Sequence, residues 1–141
     1  MSLTIAEALR AEIHAHLESV YPEEGAGFLL GEEQGEERRV QAILPVPNAR
    51  EDGARGRRYL IKPKDMYLAD LEAEKRGLEI IGIFHSHPDC PNVPSEFDRE
   101  WALPWYSYAI SRVDSGQATS LRSWRLAEDR SGFLEERILD R

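Results

Sequence analysis

Apolar residues recur every four positions at Ile5, Leu9, Ile13 and Leu17, a single stripe along one helical face. Thr4-Ile5-Ala6-Glu7 has the form of a capping box, with a hydroxyl at the cap and a carboxylate three residues on. Together these predict a helix from Ile5 to Ser19, ended by Tyr21-Pro22. The apolar run Gly27 to Gly31 and the segment Arg38 to Val46 read as two strands, joined as a hairpin through Glu32 to Glu37 with Gly35 at the turn. Asn48 to Gly56 reads as a loop and Arg58 to Ile61 as a brief strand. Pro63 suits the first position of a helix, with Met66, Ala69, Asp70 and Ala73 along one face, Tyr67 and Leu71 along its neighbour, and Gly77 as its stop. Leu78 to Phe84 is apolar except for Glu79, as expected of a central strand covered on both faces. Tyr106 to Ser111, Thr119 to Leu126 and Phe133 to Leu139 read as three closing strands, with turns at Ser115-Gly116 and Ser131-Gly132. The alternation of helices and strands predicts an α/β or α+β fold, with residues 1–141 as one domain.

The 41% hydrophobic and 31% charged content is that of a folded soluble chain, and no apolar run approaches the ~20 residues of a membrane span. The early segment Met1 to Leu17 is interrupted by Glu7, Arg10 and Glu12, unlike a signal peptide, so a cytoplasmic setting is expected. The net charge of −8 argues against nucleic acid as a partner. The one basic cluster, Arg50, Arg55, Arg57 and Arg58, reads either as a solvated loop or as a docking patch for an acidic partner. Cys90 is the sole cysteine, which excludes an internal disulfide and a cysteine-rich zinc knuckle. His14 and His16 sit two apart on the first helix, on different faces, and read as surface histidines that do not share a metal.

The chemistry concentrates where the central strand ends. His85 and His87 are two apart on a strand, so their side chains point the same way, while Ser86 points elsewhere. Two neutral imidazoles and one carboxylate form a zinc site with an open position, the catalytic rather than the structural arrangement. Asp98 is the candidate third ligand; Asp89 is nearer, but Pro88 and Pro91 restrict its return. Ser95-Glu96-Phe97-Asp98 is itself a capping-box sequence. Asp98 on a metal and Ser95 donating to a developing oxyanion are compatible with it, because a cap serine accepts with its oxygen and keeps its hydrogen. A hydrolytic site also needs a proton carrier, and the upstream pair Glu23-Glu24 supplies one if strand pairing brings it close.

The run His85-x-His87, seven residues, Ser95, two residues, Asp98 matches the signature of the JAMM, or MPN-plus, metallopeptidases. Glu24-Gly25-Ala26-Gly27 with its following apolar strand resembles the upstream segment of that family, and Tyr21-Pro22 and Trp105-Tyr106-Ser107-Tyr108 resemble its short bacterial members. The resemblance implies a mixed central sheet flanked by helices, in a layout like that of the cytidine deaminases. It implies one Zn2+ held by His85, His87 and Asp98, with Glu24 rather than Glu23 as general base and acid and Ser95 stabilising the tetrahedral stage. It further implies cleavage of a peptide or isopeptide bond after the tail of a ubiquitin-like, β-grasp sulfur-carrier protein. Cys90 reads either as a small loop residue or as a regulatory fourth metal ligand.

Two other classes share part of this pattern. Relatives lacking ligands act as non-catalytic interaction modules, but here all ligands are present. Two histidines and a carboxylate also make the facial triad of iron oxygenases, without a co-substrate site to support it. A zinc deaminase would need His-x-Glu and a Cys-x-x-Cys pair, both missing. Monomer and homodimer fit equally well.

Overall fold

Residues 1–50 and 58–140 are described by the computed structural model. In chain order they form β1 (Ser2–Ile5), α1 (Glu7–Val20), β2 (Ala26–Gln34), β3 (Glu37–Val46), α2 (Pro63–Lys75), β4 (Glu79–Pro88), α3 (Glu96–Trp101), β5 (Ser107–Asp114), β6 (Gln117–Leu126) and β7 (Phe133–Asp140). The strand order is β1-β3-β2-β4-β5-β6-β7, and β1 also pairs with β7, so the sheet closes on itself. It is mixed: β1 is parallel to both its neighbours and β4 is parallel to β5, while the other pairs are antiparallel.

Alternation along the strands divides the core in two. Leu29 of β2 and Phe84 of β4 face α1, where they pack with Ile13 and Leu17. Phe28, Leu30 and Ile83 face the other way and pack with Ala69 and Ala73 of α2. A helix therefore covers each face, which is why β4 carries apolar residues at consecutive positions. Two glycines are demanded by this packing. A methyl at Gly27 would collide with the Phe84 ring, and Gly77, with φ of 70°, ends α2 in the left-handed region.

The seam is held by a buried ion pair. Arg125 Nε meets Glu136 Oε1 at 2.8 Å, and Arg125 Nη2 donates to the carbonyls of Ser2 (3.2 Å) and Glu36 (2.8 Å). One guanidinium thus ties β6 and β7 to β1 and to the β2–β3 turn.

The sequence expectations need three corrections. Thr4 does not cap a helix: it is buried in β1, paired with Arg39 and Leu139, and Ala6 precedes α1 without a side-chain cap. The slot between β3 and β7 outcompetes the capping box for residues 2–5. Residues 58–61 form no strand; Tyr59 and Ile61 pack as extended chain against the α2 side of the core, with Ala49 N–H donating to Leu60 O at 2.9 Å. Residues 51–57, with most of the predicted loop and the arginines at 55 and 57, lie outside the described residues; of the basic cluster, Arg50 and the exposed Arg58 stack over Phe97 at 5.2 and 4.6 Å. His14 and His16 are half-buried rather than surface residues, each with a buried Nε2 that lacks a hydrogen-bond partner among the described residues. Burial holds both imidazoles below their ordinary pKa.

Candidate metal centre

Strand pairing builds the site. Ala26 is opposite His85, and Gly25 continues the register against Ser86. Gly25 is bonded in both directions: its N–H donates to Ser86 Oγ at 2.9 Å and its carbonyl accepts from Ser86 N–H at 3.2 Å. Ser86 does point away from its histidine neighbours, and its buried hydroxyl fixes the backbone next to Glu24. That brings Glu24 level with the histidine end of β4.

After Pro88 the chain turns at Asp89, with φ of 56°, whose carboxylate accepts from Ser115 N–H at 2.8 Å. Buried Asn92 then anchors the loop, donating to Ile110 O at 3.2 Å and Ser120 Oγ at 3.0 Å. The loop delivers α3, which begins in the predicted capping box. Ser95 Oγ accepts from Asp98 N–H at 3.0 Å, and Asp98 Oδ2 accepts from Ser95 N–H at 2.9 Å.

The cap leaves the rest of the Asp98 carboxylate free to face the histidines. His85 Nε2 and His87 Nε2 are 3.2 Å apart; His87 Nε2 is 3.1 Å from Asp98 Oδ2, and His85 Nε2 is 3.4 Å from Asp98 Oδ1. One ligand atom from each of the three residues falls within a 4.8 Å cluster, the spread of groups that surround one cation. His87 Nδ1–H donates to Pro91 O at 2.8 Å, which fixes the tautomer and turns the Nε2 lone pair towards the cluster. Among the described residues the His85 Nδ1 has no such bond and is buried without a partner, and the Tyr59 ring lies against it at 4.6 Å and 31°.

The electrostatics agree with a cation site. Burial works to raise the Asp98 carboxyl, but His85, His87 and the Ser95 N–H together hold it well below the usual range. Burial works to lower the His87 imidazole, yet Asp98, the Pro91 carbonyl and the Glu24 charge raise it. Without a metal, protons are drawn into the place where a cation would neutralise the carboxylates. Glu24 is 4% exposed, and among the described residues its buried Oε1 has no hydrogen-bond partner. Burial pushes its carboxyl up to about 7, opposed by the two histidines and assisted by Asp98. This donor set of two imidazoles and one carboxylate, with an unsatisfied carboxyl beside it, fits a single catalytic metal ion.

Cys90 is exposed and falls outside the three-ligand cluster; partial burial and the Glu24 charge push its thiol up, away from the thiolate that would bind a metal. Asp89 is likewise outside the cluster, committed to Ser115 and Tyr21. Three supporting residues escaped the sequence reading: Asn92, Tyr59 and Asn48. Asn48 Nδ2 donates to Glu24 O at 3.0 Å and Arg58 O at 2.9 Å, and its Oδ1 accepts from the N–H groups of Arg50 and Leu60, both at 3.0 Å. An asparagine before a loop carries no signal of such long-range partners.

Residues 6–127 match the family of prokaryotic homologs of the JAB domain. The chain belongs to that family. The match spans Glu24, the histidine pair and Asp98 of this JAB-domain chain. It is 31% identical over 114 residues to a probable TtuB-protein conjugate cleaving protease of Thermus thermophilus, covering 79% of this chain and 72% of that one. It is 32% identical over 105 residues to a desampylase of Pyrococcus furiosus, covering 74% and 68% respectively. A solution structure from Desulfitobacterium hafniense superposes with a TM-score of 0.85 at 27% identity, over 100% of this chain and 93% of that one. A JAB1/MPN domain protein of Archaeoglobus fulgidus shares the fold, with a TM-score of 0.58 at 18% identity over 99% and 100% of the two chains. The family resemblance and the mixed, helix-flanked sheet expected from the sequence are both borne out.

Proposed function

We propose that this JAB-domain chain is a zinc-dependent metallopeptidase that cleaves the peptide or isopeptide bond following the C-terminal tail of a ubiquitin-like sulfur-carrier protein. The observation that carries the proposal is the convergence of His85, His87 and Asp98 within 4.8 Å, beside a buried Glu24 whose carboxyl is pushed to about 7. The names of the Thermus and Pyrococcus relatives, both cleaving protein conjugates, supply the substrate class.

His85, His87 and Asp98 would hold the ion. Zinc, when bound, polarises the scissile carbonyl and acidifies water. Glu24 takes a proton from the attacking water and returns it to the leaving amine, a role its buried carboxyl at the histidine end of β4 is placed to fill. The Ser95 hydroxyl keeps its hydrogen while its oxygen serves the α3 cap, so it donates to the carbonyl oxygen as charge develops there. A cavity of about 330 Å³ opens beside Asp98, walled by Met66, Ile83, Trp101 and Leu103. Its apolar walls receive side chains of the extended carrier tail ahead of the scissile bond, leaving Cys90 outside the reaction.

In this reading residues 1–141 act as one catalytic unit in the cytoplasm; among the described residues no helix is long and apolar enough to cross a membrane. The test is to incubate the zinc form with ubiquitin-like carrier proteins extended at their C-termini and read the products by intact mass. Release of the extension at the carrier tail is expected. A chain that binds zinc but cleaves none of them would instead be an interaction module.

A further inference from the structure

The two histidines at the site are supported in different ways. A ligating histidine normally donates its second ring N–H to an acceptor, which fixes its tautomer and orientation. His87 does so through Pro91 O at 2.8 Å. His85 is fully buried, yet among the described residues its Nδ1 has no partner. What lies against His85 is the Tyr59 ring, 4.6 Å between centroids and tilted by 31°, within the range of an offset stack.

Tyr59 is itself firmly placed, although its segment belongs to no strand. Asn48 holds the residue on each side of it, accepting from Leu60 N–H at 3.0 Å and donating to Arg58 O at 2.9 Å. The same Asn48 amide donates to Glu24 O at 3.0 Å, and Arg58 stacks over Phe97 at 4.6 Å, next to Asp98. With two donors and two accepted bonds in use, Asn48 has no freedom to shift without breaking one of them. Asn48 and the strap of residues 58–60 therefore join the Glu24 backbone, the His85 ring and Phe97, the chain neighbour of Asp98.

We propose that Tyr59 is a positioning residue for His85, its ring fixing by stacking the imidazole that lacks a hydrogen-bonded support, with Asn48 holding the strap in register. The proposal rests on the reading of His85 as a zinc ligand. It concerns the ring and not the hydroxyl, so Tyr59→Phe and Tyr59→Leu separate it from a simple filling role.

Zinc affinity is measured by competition with a chromogenic chelator, alongside thermal unfolding of the zinc-free proteins. Tyr59→Leu is expected to bind zinc about 10- to 100-fold more weakly than wild type while still unfolding cooperatively. Tyr59→Phe is expected to stay within about threefold, by the same reasoning. Wild-type affinity in Tyr59→Leu overturns the proposal, as does an equal loss in Tyr59→Phe. If Tyr59→Leu does not fold, Asn48→Asp decides: it keeps the volume but loses both donors, to Arg58 O and to Glu24 O, and unchanged affinity overturns the role of the strap while weakened affinity supports it. A wild-type chain with no zinc affinity would overturn the metallopeptidase reading itself, an outcome distinct from these.

Discussion

Replacing Glu24 with Gln should make the protein more stable and nearly inactive. The substitution preserves shape and removes charge from a side chain that is 4% exposed. In the fold this carboxyl is held at about 7, against an ordinary value of 4.5. The unfolded chain therefore ionises first as pH rises, and wild type loses stability between those values while the variant does not. Integrating proton release between pH 5 and pH 8 gives a difference of about 2.5 kcal/mol. The measurement is urea unfolding of metal-free wild type and Glu24→Gln in excess chelator at both pH values. The stability advantage of the variant should grow by about that amount from the lower to the higher pH. With zinc restored, its turnover of a carrier-protein extension should fall about 10²- to 10⁴-fold, the usual worth of a positioned acid–base group. An advantage that is the same at both pH values would refute the burial argument, and undiminished turnover would remove Glu24 from the mechanism.

Ser95→Ala should cost only about 1 kcal/mol of stability, as a lost helix cap does, yet reduce turnover about 10²- to 10³-fold if the hydroxyl serves the carbonyl oxygen. A loss of activity no larger than the loss of folded protein would confine Ser95 to capping. Arg125→Met leaves the Glu136 carboxylate buried and unpaired, and should destabilise the fold by about 3–5 kcal/mol in urea titrations. A change below about 1 kcal/mol would mean that the pair does not secure the seam, since exposed pairs contribute that little. His14 and His16 are held by burial below their ordinary 6.5, so the unfolded chain takes up protons first as pH falls. Stability should decline below that value, and less steeply in the His14→Gln/His16→Gln double variant; matching slopes would show that neither ring is responsible.

Much of this arrangement is legible locally. Pro63 and Gly77 bracket α2, and β4 announces itself by apolar residues on both faces followed by His85 and His87. The box at Ser95 to Asp98 is legible twice, as a helix start and as a ligand position, because the Asp98 carboxylate accepts from the Ser95 N–H and also lies 3.1 Å from His87 Nε2. What stayed hidden depends on partners remote in sequence. Ser2–Ile5 is four residues long and gains its strand character from 37–39 and 137–140. A local hydroxyl-to-carboxylate spacing pointed to a cap there instead. Asn48 and Tyr59 matter through Glu24 and His85, and Asn92 through β5 and β6; none of these pairings leaves a periodic trace.

The pairing of β1 with β7 has a consequence for biosynthesis. Residues 2–5 leave the ribosome early, but one side of that strand stays open until Arg137–Asp140 has also emerged. Until then the nascent chain exposes an unpaired strand edge, a template for contact with neighbouring chains. Closure of the sheet therefore depends on contacts between chain segments far apart in sequence, whose loop-closure cost slows folding.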